Sequence, residues 1–128
     1  MRYMFLISSV EDLKPPPARL MEEIDKLSKQ PDVASRMVGQ GGLFPLSMAG
    51  ARIRLKGGKL HVMDGPFAET KEQLLGFYVI DVPDLDAAMA VARELSAANP
   101  TSCYEIRPVA LYVPEQRPDA PTQMVRNY

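Results

Sequence analysis

Residues 76–107 carry the sequence GFYVIDVPDLDAAMAVARELSAANPTSCYEIR, which predicts a strand, a helix and a second strand in succession. The first seven residues are rich in strand-forming side chains and are typical of a buried strand. Asp84 is placed to cap the helix that follows. The apolar stripe of that helix recurs at three- and four-residue spacing and comprises Leu85, Ala88, Met89, Ala92 and Leu95. We expect the helix to end near Asn99, before an alternating closing strand over residues 102–107.

The N-terminal part of the chain repeats this order of elements. Residues 3–8 form a nearly continuous apolar run, as expected of a central strand. Three prolines precede an amphipathic helix that should end before Pro31, and its apolar residues are Leu20, Met21, Ile24 and Leu27. Residues 37–46 are a further extended segment, whose glycines permit a bulge or a close backbone approach. Two strand–helix–strand units of this kind predict an α+β fold, the ferredoxin-like split βαβ sheet.

A β-hairpin is inserted between the two units and is the clearest local signal in the chain. Apolar and basic residues alternate on both sides of Gly57 and Gly58, and a two-residue turn fixes the register. The predicted cross-strand pairs are Leu55 with Leu60, Ile53 with Val62, Lys56 with Lys59, and Arg54 with His61. One face of the hairpin is therefore apolar and the other basic.

Composition excludes several classes of protein. The chain has 128 residues, with 15 basic and 16 acidic side chains and a formal charge of −1. It is long enough for one domain with a real core, and its charge does not favour a nucleic-acid partner. The single cysteine cannot form an intrachain disulfide, which favours a cytoplasmic location. We expect no signal peptide and no membrane segment, since no apolar stretch approaches the roughly 20 residues that span a bilayer.

The string Asp64-Gly65-Pro66-Phe67-Ala68-Glu69-Thr70-Lys71-Glu72-Gln73-Leu74 is the most distinctive in the chain. Together with residues 76–82 and Leu85-Asp86 it resembles the signature of the DGPF (YCII-related) family. The resemblance extends to the N-terminal strand, to the glycine-rich second strand and to residues 105–108. It covers about residues 1–113, which we take as the single domain, followed by a proline-rich C-terminal arm over residues 114–128.

The resemblance implies a ferredoxin-like subunit that pairs sheet to sheet with a second copy, giving a dimeric α/β barrel with a cleft in each subunit. It implies no established reaction. Some family members are encoded beside extracytoplasmic-function sigma factors, which associates the family with signalling. Related YCII proteins carry a histidine beside an aspartate on an early strand. This chain has no histidine there, so that pair cannot be transferred.

Asp64 is the first candidate catalytic residue. The hairpin register places it on the same side as Leu60 and Val62, so we expect it to face the core, where burial raises a carboxyl pKa toward that of a general acid or base. The alternative is that Asp64 accepts backbone hydrogen bonds in the turn that Gly65 and Pro66 form.

A charged cluster follows Asp64 in the sequence. Glu69, Lys71 and Glu72 could bind a small polar ligand, or they could be an ordinary solvated run of charges. Thr70 and Gln73 have capping-box spacing, which predicts a short helical turn through Leu75.

The remaining reactive side chains are predicted to be inert. His61 faces Arg54 on the basic side of the hairpin and is expected at the surface. Cys103 has no evident histidine partner and is expected to be a small buried side chain. No cluster has the spacing of metal ligands, and no phosphate-binding loop is present, so we predict neither a metal nor a cofactor.

Two functions remain open from the sequence alone. One is a small-molecule binding or acid/base catalytic subunit with a cleft near residues 64–72; the other is a non-enzymatic dimeric regulatory module. Both predict a homodimer, because helices on one side of the sheet leave its other apolar face uncovered; an interface of about 1,000 Å² or more is expected. The arm is predicted to pack along the subunit or reach its partner, with Val125 or Tyr128 as the anchor.

Overall fold

A computed structural model describes residues 1–10, 15–29, 36–45, 50–63, 73–114, 118–119 and 121–127. In chain order the elements are β1 (Arg2–Ser9), α1 (Ala18–Ser28), β2 (Arg36–Gly42), β3 (Arg52–Lys56), β4 (Lys59–Met63), β5 (Gln73–Asp81), α2 (Leu85–Ala98), β6 (Cys103–Pro108), β7 (Leu111–Tyr112) and β8 (Val125–Arg126). The main sheet has the antiparallel order β2-β5-β1-β6. This arrangement confirms the ferredoxin-like α+β fold.

The core lies between one face of this sheet and the two helices. Alternate residues of β1 are buried, as are alternate residues of β5, because successive side chains of a strand point to opposite faces. Phe5, Ile80, Val82 and Leu95 are the largest side chains that are fully enclosed. The predicted helix stripes are only partly covered, since Met21, Leu85 and Met89 are exposed.

Strand β2 uses its glycines in the two ways that the sequence predicts. The register of β2 against β5 shifts between Met37 and Gly39, which is a bulge. A Cβ atom at Gly41 would lie 2.5 Å from Cε1 of Phe77, closer than carbon atoms approach. The ring of Phe77 therefore covers the backbone of Gly41, and no other residue fits at that position without a shift.

The hairpin β3–β4 has the predicted register at all four predicted pairs. Gly57 and Gly58 have φ angles of 59° and 78°, the left-handed values that a type I′ turn requires of both central residues. Within the described part of the chain, β3 and β4 pair only with each other. Both faces of the hairpin are exposed.

Of the two helix starts that the sequence predicts, the Asp84 cap is confirmed, and the short helical turn that was predicted through Leu75 is wrong at Gln73 and Leu75. The Asp84 carboxylate accepts a hydrogen bond from the Ala87 backbone N–H at 2.8 Å. Gln73 and Leu75 belong to strand β5 instead of a helical turn, because pairing with β1 supplies Gln73 with a partner strand. Thr70 itself lies outside the described residues.

The C-terminal segment returns to the start of the chain. Strand β8 pairs with β7 in the same subunit, and Asn127 reaches the backbone of Arg2. The backbone N–H of Asn127 also donates to the Ala110 carbonyl at 3.0 Å. Val125, one of the two predicted anchors, is half-buried in β8, whereas Tyr128 lies outside the described residues.

Candidate functional site

All four predicted site residues lie in a segment that the structure does not describe. Asp64, Glu69, Lys71 and Glu72 fall within residues 64–72, between Met63 at the end of β4 and Gln73 at the start of β5. Gln73 is buried and stands opposite Ser9 at the end of β1. The segment is thus attached at one side to the exposed hairpin and at the other to a central strand of the sheet.

One premise for Asp64 has to be corrected. Leu60 and Val62 are 61% and 52% exposed, so the hairpin face to which register assigns Asp64 is not a core face. The cause is that, among the described residues, the hairpin forms a sheet of its own and does not join the main sheet. Burial against Leu60 and Val62 therefore gives no reason for a raised Asp64 pKa.

His61 and Cys103 are both exposed. For His61, which pairs with Arg54, this is the predicted surface position. For Cys103 the prediction of burial was wrong, since the thiol is free and exposed. Cys103 stands opposite Ser8 at the start of the edge strand β6, on the sheet face away from the helices.

That second face of the sheet, which we call the open face, has an apolar centre. Met4 and Leu6 on β1 stand opposite Val79 and Phe77 on β5, and all four are half-buried. On one side they are flanked by the glycines of β2. On the other side they meet two exposed charges of β6, since Glu105 pairs with Leu6 and Arg107 with Met4. The open face is therefore an apolar strip with a charged rim.

An ion pair closes one end of the open face. The Arg2 guanidinium donates to both carboxylate oxygens of Asp81, from Nε at 2.8 Å and from Nη2 at 3.0 Å. The hydrogen bond from Arg2 lowers the pKa of Asp81, with smaller contributions from the N-terminal amine and Arg36, while partial burial opposes the shift. The same bond raises the pKa of Arg2. The guanidinium also lies over the Tyr112 ring, 4.3 Å from its centre.

Sequence reasoning missed this cluster, although a signal for it was present. In a split βαβ sheet the first and third strands of the sheet are antiparallel neighbours. Here these strands are β1 and β5, so the start of β1 meets the end of β5. Arg2 and Asp81 occupy those ends and are paired in the register. Tyr112 and Asn127 could not have been added in this way, because Tyr112 lies in β7, beyond the four strands of the main sheet, and Asn127 lies in the arm.

A tyrosine pair lies on the helix side of the sheet. The rings of Tyr78 and Tyr104 are 6.5 Å apart and nearly parallel, and the Asn99 side-chain N–H donates to the Tyr104 hydroxyl at 3.2 Å. Burial raises the pKa of Tyr78 well above its ordinary value, and Tyr104 adds to the shift through charge and a hydrogen bond. Burial also raises the pKa of Tyr104. Both groups stay neutral at ordinary pH and act as hydrogen-bonding core residues.

A groove of about 540 Å³ separates helix α2 from the edge strand β6. Its lining is mainly apolar and consists of Leu85, Met89, Ala92, Arg93, Ser96, Tyr104 and Ile106. Leu85 and Met89 are the two residues of the predicted α2 stripe that the sheet leaves exposed. These two side chains thus contribute the exposed apolar part of the groove lining on the α2 side.

The described part of the chain shows neither a metal site nor a membrane-spanning helix. No group of three or more potential metal ligands comes together among those residues. None of the helices found there has the length and apolar character needed to cross a membrane.

Comparison with known proteins identifies relatives across nearly the whole fold. A family model for the YCII-related domain matches residues 1–112, which include both helices and all four strands of the main sheet. An uncharacterized protein of Rhizobium meliloti (strain 1021) is 48% identical over 101 residues, or 78% of this chain and 81% of that protein. The chain and this relative therefore share most of their length.

Proposed function

This chain belongs to the YCII-related family, and from that premise we propose that it acts as a homodimeric subunit that binds a small polar ligand near residues 64–72. Two copies pack through their open faces. The observation that carries the proposal is the apolar strip of Met4, Leu6, Phe77 and Val79, which lies on the sheet face opposite to α1 and α2.

The open face has the pattern of an interface core. An antiparallel sheet with one wet face carries polar residues at alternate positions, whereas the centres of β1 and β5 are apolar on both faces. An apolar centre with a polar rim is the usual anatomy of a protein–protein interface. Such a surface supports a stable contact with a second molecule.

The charged rim supports a second copy as that molecule. Glu105 and Arg107 lie two residues apart on the same side of β6. In a two-fold interface the same patch is used by both subunits, so Glu105 of one subunit can approach Arg107 of the other. The patch is thus complementary to itself.

The ligand site is proposed from the composition of the segment between β4 and β5. Asp64, Glu69, Lys71 and Glu72 bring both signs of charge within nine residues. These groups can donate to and accept from a small polar molecule. If the subunit is an enzyme, Asp64 is the residue we propose as its general acid or base.

The alternative function is a non-enzymatic dimeric regulatory module. It is favoured by apolar surface outside the sheet, since Phe44 is 82% exposed and the hairpin presents a row of exposed aliphatic side chains. Exposed apolar patches of this kind mark contacts with other proteins. In this function residues 64–72 brace the fold instead of binding a ligand.

Sedimentation and light scattering test the homodimer. We expect a dimer of the 14.2 kDa chain at micromolar concentration, and a monomer when Leu6→Lys places a charge in the centre of the open face. Met21→Lys is the matched control, because Met21 is an exposed apolar residue on α1, and it should remain dimeric. A wild-type monomer would rule out the proposed assembly.

A thermal-shift screen of small polar metabolites, followed by Asp64→Asn and Glu72→Gln, tests the ligand site. If the segment binds a ligand, both variants should keep the melting temperature of the free protein and lose the ligand-induced shift. If the segment is a brace, the variants should melt lower without any ligand. The second result would favour the regulatory module.

A further inference from the structure

We propose that the β3–β4 hairpin of one copy adds to the outer edge of β6 in a second copy, next to the groove between β6 and helix α2. The sheet of each subunit would then continue into the hairpin of its partner. The contact needs a second copy and in that respect rests on the proposed homodimer. Its main surfaces are the edge of β6 and the groove beside α2, and it shares Glu105 and Cys103 with the open face.

Among the described residues, the apolar face of the hairpin is not covered by another element. Ile53, Leu55, Leu60 and Val62 form its apolar face and are between 52% and 70% exposed. In the described residues the hairpin pairs with no third strand. An isolated two-stranded hairpin is marginally stable in water, and a further strand or a helix against its apolar face is what stabilises it. The hairpin therefore requires a partner surface.

The edge of β6 supplies backbone groups for that third strand. The Val109 N–H donates to the Arg2 carbonyl at 3.0 Å, so the backbone groups of Val109 point toward β1. Because these groups alternate in direction along a strand, this bond shows which residues of β6 point toward β1 and which point away. The N–H and C=O groups of Tyr104 and Ile106 consequently point away from β1, and β6 is the outermost strand of the described sheet. Pro108 has no N–H to offer at the next outward position, so the available edge is two outward residues long.

Helix α2 supplies the apolar cover. Leu85 and Met89 are exposed and line the groove together with Tyr104 and Ile106 of β6. A strand added to β6 would lie beneath these two helix residues. The side chains it turns toward α2 should therefore be apolar.

The backbone pattern of the hairpin meets this requirement. Lys56 and Lys59 close the two-residue turn as a hydrogen-bonded pair, so the backbone groups of Leu55 point outward, as do those of Ile53 two residues earlier. In an antiparallel pair, residues that exchange backbone hydrogen bonds have side chains on the same face. Antiparallel addition of β3 to β6 thus places its apolar face on the side of Tyr104 and Ile106, under α2.

This register also pairs the charges on the other face. With Leu55 opposite Tyr104 and Ile53 opposite Ile106, Arg54 stands opposite Glu105. Adding β4 instead would place His61 there in place of an arginine, so charge complementarity favours β3. The same register places Lys56 opposite Cys103, in a non-hydrogen-bonded pair whose Cβ atoms are close enough for a disulfide.

A two-fold axis would repeat the contact. Each subunit has one hairpin and one β6 edge, so two copies satisfy both surfaces of both chains without leaving either exposed. The arrangement closes on itself and does not propagate into a fibre.

The experiment is disulfide formation in full-length Lys56→Cys, which pairs a new thiol with the native Cys103. Mild oxidation should give a covalent dimer, and peptide mapping should identify an interchain link between positions 56 and 103. Adding Cys103→Ser should abolish that link. Arg54→Glu should lower its yield several-fold, and Glu105→Arg in the same chain should restore it.

Two matched variants test which strand of the hairpin pairs with β6 and which face of the hairpin lies on the side of Cys103. Lys59→Cys lies on the same face but on β4, and Leu55→Cys lies on β3 but on the opposite face; both should link to Cys103 several-fold less. A dimer by sedimentation that gives no 56–103 link, or one in which the controls link equally well, overturns the hairpin contact and leaves the open-face dimer standing. A reduced wild-type monomer overturns both.

Discussion

The side-chain amide of Asn127 forms two hydrogen bonds with the backbone of Arg2, although 125 positions separate the residues in the chain. The Arg2 N–H donates to Oδ1 and the Asn127 Nδ2 group donates to the Arg2 carbonyl, both at 2.6 Å. Asn127 thereby acts like a residue of a neighbouring strand at the end of β1. The last residues of the described chain are held by the first strand.

Replacing this amide should destabilise the fold. Asn127→Ala leaves the partly buried Arg2 N–H without its acceptor, and we expect the free energy of unfolding to fall by about 1–2 kcal/mol. Urea denaturation measures the loss. Gln123→Ala, at an exposed position of the same arm, is the control and should stay close to wild type. Equal stability of the two variants would show that the Asn127 contact contributes nothing.

The Arg2–Asp81 ion pair predicts a pH dependence at acid pH. Because the folded-state pKa of Asp81 is lowered, its stabilising contribution is present above the ordinary aspartate pKa of roughly 4 and is lost as pH falls through the folded value. Asp81 is 41% exposed, so the contribution should stay within about 1 kcal/mol. Below about pH 4 the stability of Asp81→Asn should fall less steeply than that of wild type.

Asp119→Asn is the matched control for that titration, since Asp119 is exposed in a turn of the arm. Its stability curve should follow the wild-type curve throughout the acid range. Superimposable curves for wild type and Asp81→Asn would refute a role for the ion pair.

The raised pKa of Tyr78 predicts that the stability of the fold decreases at alkaline pH. Burial raises its folded-state pKa, so the unfolded chain releases the proton first, and stability is lost as pH rises above roughly 10. Tyr78→Phe removes this proton and should show a shallower loss. Tyrosinate absorbance can be followed together with unfolding. In Tyr78→Phe, the number of tyrosines that ionise only when the protein unfolds should be one lower than in wild type. Identical alkaline slopes would contradict the assignment.

The cap of helix α2 gives a local prediction. Asp84→Ala removes the acceptor of the Ala87 N–H and should lower the free energy of unfolding by about 1 kcal/mol. Asp84→Asn keeps an acceptor oxygen at the same place and should recover most of the loss. Thermal unfolding compares the two, and a similar drop in both would assign the effect to charge instead of capping.

The features that sequence predicted correctly depend on near neighbours. The hairpin register follows from Gly57, Gly58 and the alternation beside them, and the Asp84 cap follows from the apolar stripe that starts at the next residue, Leu85. Both are decided within a few residues of backbone, so tertiary packing does not alter them.

The errors concern long-range placement. Periodicity showed that Leu60 and Val62 share a face, but it could not show that this face is exposed. Cys103 was expected inside because free cysteines are usually buried, yet it begins an edge strand on the open side. The candidate site residues between 64 and 72 lie outside the described residues, so their roles stay predictions.

The contact between Gly41 and Phe77 restricts how this sequence can change over time. Any side chain at position 41 meets the aromatic ring, so a single substitution there requires the ring of Phe77 to move. A smaller residue at position 77 would open the space, at the loss of half-buried ring surface on the open face. The two positions should therefore vary as a pair among descendants of this chain, with the change at 77 occurring first.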